Sequence, residues 1–120
     1  MINIETIGLG FIDERGEIKL VLVAPIKTVL LITSKKGSIR GNHYHNRDVH
    51  WTYLVSGRMI YYEKHRILEE ILVEPGQIVY SNKGVPHAMR FLEDSVFLAL
   101  TTERRSGESY EKDTIRVKIV

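Results

Sequence analysis

The feature of this sequence that most restricts its fold is the close spacing of its turn residues. Gly, Pro, Asn and Asp interrupt short apolar runs, and no segment keeps the roughly 3.6-residue period of an amphipathic helix. Short β-branched and aromatic runs bounded in this way are typical of strands. The sequence therefore predicts an all-β chain with strands over residues 1–7, 17–23, 27–33, 51–55, 59–63, 66–73, 77–80, 87–92, 96–101 and 114–120, and a charged loop over 103–113.

Two of the turns predict how neighbouring strands pair. Ser56-Gly57 indicates a tight turn that would join residues 51–55 and 59–63 in a hairpin. Lys64-His65 indicates a second turn, with residues 66–73 as the returning strand, and it would leave His65 at the surface. Consecutive short strands joined by tight turns favour a closed barrel.

Length and composition bound the class of protein. A chain of 120 residues is expected to form one domain, residues 1–120, with a single core. The net charge of +2 is too small to indicate a nucleic-acid partner, and no apolar run is long enough to cross a bilayer. The chain has no cysteine and no recognisable signal peptide. We therefore expect a cytoplasmic protein that binds a small molecule and neither nucleic acid nor a membrane.

The histidines are the strongest candidates for a functional site. His43 and His45 are two residues apart, so on a strand both imidazoles point to the same face. His50 opens the next apolar run, and His87 follows the turn-rich stretch 75–86. Histidines in polar turns are usually solvated, so the His-x-His pair alone carries little information. Delivered to one point by three strands, however, these four imidazoles would form a metal site.

Two fixed spacings of glycine and histidine strengthen this interpretation. The first comprises Gly37, His43, His45, His50 and Gly57, and the second Gly76, Gly84 and His87. Together they resemble the paired motifs of the cupin superfamily, whose members are jelly-roll barrels, also described as double-stranded β-helices, with one metal site inside. The resemblance covers residues 37–91 and implies that His43, His45, His50 and His87 are the metal ligands.

Three positions depart from the cupin pattern. His50 stands in place of glutamate, Asn82 in place of proline and Phe91 in place of asparagine. Only the first changes the metal chemistry, because an imidazole in place of a carboxylate removes a negative charge and softens the ligand set. Imidazole suits zinc, iron, copper or nickel, and some four-histidine cupins resemble manganese proteins. We expect one divalent transition metal: zinc, iron, manganese, copper or nickel.

The residues around the His-x-His pair support a narrower comparison. The stretch Arg40-Gly41-Asn42-His43-Tyr44-His45 resembles the cupins that epimerise or isomerise nucleotide-linked 4-keto sugars, and also the cupin domains of capsular-polysaccharide enzymes. The resemblance implies that Arg40 contacts the nucleotide phosphates and that His43 or His45 removes the proton next to the ketone. Arginine suits a diphosphate because its planar fork makes two parallel charge-assisted bonds.

That chemistry also needs a proton donor or another group that stabilises the enolate. Tyr61, Tyr62 and Tyr80 are the candidates, and Tyr80 is the one assigned to the site, although tyrosine in a strand most often serves packing. Met89 and Phe91 share a strand face with His87, so they either contact the substrate or simply fill the core.

Strand alternation also predicts an interface. If His50 points into the barrel, Thr52 and Leu54 point inward with it. Trp51, Tyr53 and Val55 then form an apolar stripe on the outer surface. A stripe of this kind favours contact with another subunit, so we expect a homodimer.

Three functions remain open. The first is an isomerase or epimerase acting on a keto sugar, with a nucleotide-linked sugar as the candidate substrate. The second is a four-histidine metal-dependent oxygenase, favoured by His50. The third is a non-catalytic module that binds a small ligand. A histidine that binds a metal through its lone pair cannot also act as a base, and the sequence leaves these two uses open.

Overall fold

The computed structural model describes residues 1–105 and 107–120 of the chain. Its described residues form twelve strands and one short helix: β1 Asn3–Thr6, β2 Leu9–Asp13, β3 Gly16–Lys19, β4 Thr28–Ser34, β5 Ile39–His45, β6 His50–Ser56, β7 Met59–Lys64, β8 Leu68–Val73, β9 Gln77–Ser81, β10 His87–Phe91, β11 Ser95–Thr101, α1 Gly107–Asp113 and β12 Thr114–Arg116.

Ten of the described strands form two five-stranded antiparallel sheets. One sheet has the order β1-β9-β6-β11-β4 and the other the order β12-β5-β10-β7-β8, while β2 and β3 form a separate hairpin. The inward faces of the two large sheets enclose the core between them. The prediction of an all-β jelly-roll barrel is confirmed. Among the described residues, no helix is long and apolar enough to span a membrane.

The predicted hairpin between residues 51–55 and 59–63 is wrong. β6 pairs with β9 and β11, whereas β7 pairs with β8 and β10 in the other sheet. Gly57 lies between them with φ +91, and a Cβ there would approach Ser95 Cα to 2.6 Å. Gly57 therefore packs closely on the start of β11, at the point where the chain crosses from one sheet to the other. The second predicted turn is correct, because β7 and β8 pair from Lys64 and Leu68 onward.

Two other sequence-based expectations are corrected. The strand predicted at 17–23 ends at Lys19, and its partner β2 was not predicted. The stretch 103–113, predicted to be a loop, contains α1, with Glu108 in its first turn and Lys112 in its last. These two side chains form an ion pair of 3.5 Å. A helix of seven residues is too short to produce a periodic apolar pattern.

The interior of the barrel is apolar at one end and polar at the other. The apolar end is a cluster of buried side chains on both sheets: Leu54, Met59, Tyr61, Val73, Val79, Met89, Phe91, Phe97 and Ala99. Their register places them level with or beyond Thr52 on β6 and beyond Ala88 on β10, so the first residues of β6 and β10 line the opposite end. His50, Thr52 and Leu54 are all buried, which confirms the predicted inward face of β6.

Candidate functional site

Four histidines meet at the polar end of the barrel. His43 and His45 lie near the end of β5, and His50 and His87 are the first residues of β6 and β10. The ring centroid of His43 lies 4.7 Å from that of His45 and 4.8 Å from that of His87. The ring centroid of His50 lies 4.9 Å from that of His87 and 5.6 Å from that of His45. The structure therefore brings together all four histidines that the sequence singled out. We call them the histidine cluster.

A bulge in β5 sets the position of the first two histidines. His43 lies opposite His87, but the next pair along the two strands is Gly41 and Ala88, so Asn42 is the extra residue on β5. Gly41 has φ +86, and a Cβ there would lie 2.8 Å from the His87 carbonyl oxygen. Asn42 has φ 55, and its Oδ1 accepts hydrogen bonds from the backbone N–H groups of Ile119 and Val120. Glycine thus lets β5 and β10 approach closely beside the histidines.

Burial keeps the imidazoles neutral. Desolvation lowers the pKa of His43 from 6.5 to about 3 and that of His87 to about 4. Desolvation also lowers the pKa of His45 and holds that of His50 well below its ordinary value, and the positive charge of Arg105 acts in the same direction. At neutral pH each ring in the cluster therefore has one nitrogen with a free lone pair.

In two of the rings, hydrogen bonds determine which nitrogen carries the lone pair. His87 Nδ1–H donates to the Val85 carbonyl oxygen at 3.1 Å. The Thr114 hydroxyl donates to the Tyr110 carbonyl oxygen, so at its 3.4 Å contact with His45 Nδ1 the imidazole is the donor. The lone pairs of His45 and His87 are consequently on Nε2.

The cluster fits a metal ion. One nitrogen from each of His43, His45 and His87 lies within 4.8 Å of the other two. His45 Nε2 and His50 Nδ1 are buried and have no hydrogen-bond partner among the described residues. Buried polar atoms are normally satisfied, and neutral imidazole nitrogens suit zinc, iron, copper or nickel. These donor atoms are of the right chemistry and number to hold one such ion.

Asp48 and Arg105 also belong to the site, although neither was predicted from the sequence. Asp48 is buried beside the cluster, with Oδ2 at 3.9 Å from His50 Nδ1. The same oxygen accepts a hydrogen bond of 3.1 Å from Arg105 Nη2. Oδ1 accepts from the backbone N–H groups of Thr102 and Glu103. The burial of Asp48 depends on the residues that follow β11, more than fifty positions away in sequence.

Helix α1 closes one side of the barrel mouth. The Tyr110 ring centroid lies 5.8 Å from that of His45. Asp113 Oδ1 accepts hydrogen bonds from the backbone N–H groups of Asn46 and Arg47, and Oδ2 accepts one from that of Asp48. This carboxylate therefore holds the turn that connects the His43–His45 strand to His50. A cavity at the mouth is lined by Arg47, Asp48, Tyr110 and Asp113, among others.

The structure does not bring Tyr80 to the histidine cluster. Its ring packs on Trp51 at 5.1 Å, and its hydroxyl donates to Asn82 Oδ1. Of the three tyrosines that the sequence offered as proton donors, Tyr61 lies beside the cluster, with its ring stacked at 6.4 Å from that of His87. Its buried hydroxyl bonds Ser81 Oγ at 2.6 Å and Glu63 Oε1 at 3.1 Å. Burial raises the pKa of Tyr61 far above its ordinary value.

The remaining candidates lie away from the four imidazoles. Arg40 Nε donates to Ser34 Oγ at 2.7 Å and Nη2 to the Thr33 carbonyl oxygen, and the side chain lines a separate cavity with Lys35 and Ser95 among others. Met89 and Phe91 point inward as predicted and belong to the apolar core.

His65 is exposed as predicted, but its Nε2 bonds the buried carboxylate of Glu63 at 3.0 Å. The fifth histidine therefore lies outside the cluster and is tied to the Tyr61 hydroxyl through that carboxylate.

Comparison with known proteins finds related barrels. The sequence model of the Cupin_2 family, described as a cupin domain, matches residues 30–102. QdtA, a sugar 3,4-ketoisomerase from Thermoanaerobacterium thermosaccharolyticum solved with TDP, superposes with a TM-score of 0.80 at 22% identity, covering 96% of this chain and 87% of that one. The rmlC epimerase of Mycobacterium tuberculosis gives a TM-score of 0.78 at 16% identity, over 94% of this chain and 66% of that one.

A third solved structure belongs to a larger protein. The capsular polysaccharide assembling protein CapF from Staphylococcus aureus superposes with a TM-score of 0.70 at 22% identity. The match covers 94% of this chain but only 34% of that protein. No curated protein sequence matches this chain at a significant level. At these identities, the likeness to the three solved structures concerns the fold.

Proposed function

This chain belongs to the cupin family, and from that membership we propose that it is an isomerase or epimerase acting on a nucleotide-linked keto sugar. Structural neighbours that are sugar-nucleotide ketoisomerases and an epimerase support the proposal. The observation that carries it is the lone pair on His45 Nε2, which is buried, neutral and unpartnered among the described residues. A base of this kind at the mouth of a small barrel suits a carbon acid next to a ketone.

The reaction needs only proton transfer. In the first step, His43 or His45 takes the proton from the carbon next to the ketone, and the C–H electron pair forms a C=C bond as the C=O pair moves onto oxygen. Protonation of that oxygen gives an enediol when the neighbouring carbon bears a hydroxyl. Loss of the other hydroxyl proton, with protonation of the former carbonyl carbon, moves the ketone by one carbon. No oxidant or reductant is consumed.

A phosphate-bearing substrate also corrects the weakness of the free site as a base. An imidazole whose pKa lies near 3, as for His43, removes a carbon-bound proton poorly. A diphosphate bound within about 6 Å of the cluster would raise the pKa of these imidazoles through its negative charge. The predicted phosphate contact of Arg40 stays a prediction.

A metal centre is the second candidate, favoured by the unpartnered nitrogens of His45 and His50. His43, His45, His50 and His87 would hold the ion, with His50 in the position of the usual glutamate. Such an ion would supply a Lewis acid for the ketone oxygen or, if redox-active, the oxygen chemistry of an oxygenase.

The outer sheet face supports the expectation of a homodimer. Tyr53, Leu98 and Leu31 lie in one row across β6, β11 and β4, and Trp51, Leu100 and Val29 lie in the next. Leu31 is 70% exposed and Val29 57% exposed. A continuous apolar face of this extent favours burial against a second copy of the chain.

Proton exchange in heavy water tests the isomerase directly. The protein would be incubated in D₂O with a TDP-linked 4-keto-6-deoxy sugar, and the sugar followed by proton NMR. We expect deuterium at the carbon beside the ketone and a new keto isomer, both lost in His45→Gln and retained in His65→Gln. Metal analysis of the same samples identifies any bound ion. Tight binding of the sugar nucleotide without deuterium uptake would contradict the isomerase and favour the ligand-binding module.

A further inference from the structure

Arg105 places a positive charge at the mouth of the histidine cluster. Its side chain is only 11% exposed, although the residue precedes a surface helix. Three contacts hold it there: Nη2 donates to Asp48 Oδ2 at 3.1 Å, the guanidinium carbon lies 5.0 Å above the Tyr110 ring, and the backbone N–H donates to Thr28 Oγ1. The adjacent Arg104 is exposed. The fold therefore buries one of two neighbouring arginines and leaves the other in solvent.

The hydrogen bonding of the buried Arg105 side chain is incomplete. Its Nε is buried and has no hydrogen-bond partner among the described residues. A buried donor that gives up water without a new partner is unfavourable, and a substrate oxygen that accepts from this N–H would restore the lost hydrogen bond. Two further side-chain nitrogens of the described residues, His45 Nε2 and His50 Nδ1, are also buried without a hydrogen-bond partner.

These atoms lie in one region of the site. Asp48, which holds the guanidinium, has a carboxylate oxygen within 4.8 Å of ring nitrogens of both His45 and His50. The region thus combines a fixed N–H donor with an imidazole that carries a lone pair. A ketone with an acidic neighbouring C–H needs the same combination: a donor for its oxygen and a base for its proton.

We propose that Arg105 is a catalytic residue whose Nε–H donates to the ketone oxygen of the substrate and stabilises the negative charge that develops there. Asp48 is its positioning residue. When the histidine removes the carbon-bound proton, the electron pair moves onto the oxygen that Arg105 already contacts. The guanidinium keeps its own protons throughout and lowers the energy of the enolate through charge and hydrogen bonding. This role rests on the proposed isomerase activity and adds the residue that activates the ketone.

Three variants test this role. Arg105→Gln removes the charge, Arg105→Lys keeps a cation without the planar donor, and Arg66→Gln is the control at an exposed arginine of the β7–β8 turn. With the TDP-linked keto sugar, we expect Arg105→Gln to lower kcat about 100-fold or more while KM changes less than about threefold. Arg105→Lys should recover part of kcat, and Arg66→Gln should stay within about twofold of the parent. A kcat for Arg105→Gln within twofold of the parent would overturn the proposal.

A binding measurement separates this result from failure of the proposed function. 4-Nitrophenolate is a flat anion whose phenolate oxygen resembles that of an enolate, and its absorbance reports binding without turnover. We expect its affinity to fall about tenfold or more in Arg105→Gln and to be unchanged in Arg66→Gln. If the parent binds the phenolate through Arg105 but does not convert the sugar, the isomerase is wrong and the oxyanion site stands. Equal affinity in parent and Arg105→Gln overturns the site itself, and thermal unfolding of each variant verifies that it is folded.

Discussion

Single residues decide the charge of the site. Four imidazoles with ring centroids about 5–6 Å apart would repel one another if protonated, and the low dielectric of their surroundings strengthens that repulsion. Desolvation is nevertheless the largest cause of the lowered pKa values, with the charge of Arg105 adding to it. The cluster is thus kept uncharged by burial first and by its neighbours second. This state suits both uses of the histidines, as ligands and as bases.

The lowered pKa values predict a pH dependence of stability in the metal-free protein. The unfolded chain binds protons at histidine near pH 6.5, whereas the folded protein holds the pKa of His87 at about 4 and that of His43 at about 3. The free energy of unfolding should therefore fall as the pH drops from about 6.5 toward 3, and should gain no further contribution from these groups above 6.5. His87 accounts for about 3 kcal/mol of this loss.

Urea unfolding at a series of pH values measures this effect. Because carboxylates also titrate at low pH, the comparison is between the parent and His87→Gln, which should show a shallower fall. His65→Gln, at the histidine outside the cluster, is the control. Parallel curves for the parent and His87→Gln would show that burial of this ring does not oppose its protonation.

Residue spacing predicted part of this site and not the rest. His43 and His45 were predicted to share a face because they are two apart on one strand, and the cupin spacing added His50 and His87. Asp48 and Arg105 could not be found in this way. Their contact joins positions 57 residues apart and depends on how the loop after β11 folds back over the mouth. Tyr80 and Tyr61 illustrate the same limit, because the choice between them depends on which strand face turns inward.

At the level of elements, the turns were predicted more reliably than the pairing they produce. Ser56-Gly57 has the composition of a hairpin turn, but Gly57 packs against the backbone of Asp94 and Ser95, and the chain crosses to the other sheet. The turn composition alone does not contain that information, because the deciding atoms belong to β11. Helix α1 was missed for a different reason, since seven residues make only about two turns.

The bulge in β5 predicts that an alanine at Gly41 destabilises the fold more than an alanine at Gly76. Gly41→Ala adds a Cβ that would lie 2.8 Å from the His87 carbonyl oxygen and 2.9 Å from Ala88 Cα, at φ +86. Gly76 has a similar φ of +89, but a Cβ there meets nothing within 4 Å. Gly76→Ala should therefore cost only the backbone strain, about 1 kcal/mol, whereas Gly41→Ala should cost about 2–4 kcal/mol.

Chemical unfolding of both variants tests this difference, and the metal content or proton-exchange rate of each shows whether the histidine cluster is disturbed. We expect both readouts to change in Gly41→Ala and neither in Gly76→Ala. Equal destabilisation of the two variants would mean that β5 and β10 can separate at the bulge without cost.

The whole molecule is predicted to associate through the apolar outer face of the β1-β9-β6-β11-β4 sheet. Leu31 on that face and Ile67 in the β7–β8 turn are equally exposed, each at 70%, so Leu31→Lys and Ile67→Lys add the same charge in different places. Burying an unpaired lysine in an apolar interface is strongly unfavourable. Analytical ultracentrifugation should therefore give a dimer for the parent and for Ile67→Lys, and a species near the chain mass of 13.9 kDa for Leu31→Lys. A monomeric parent would rule out the homodimer. A Leu31→Lys variant that remains dimeric would place the interface on another surface.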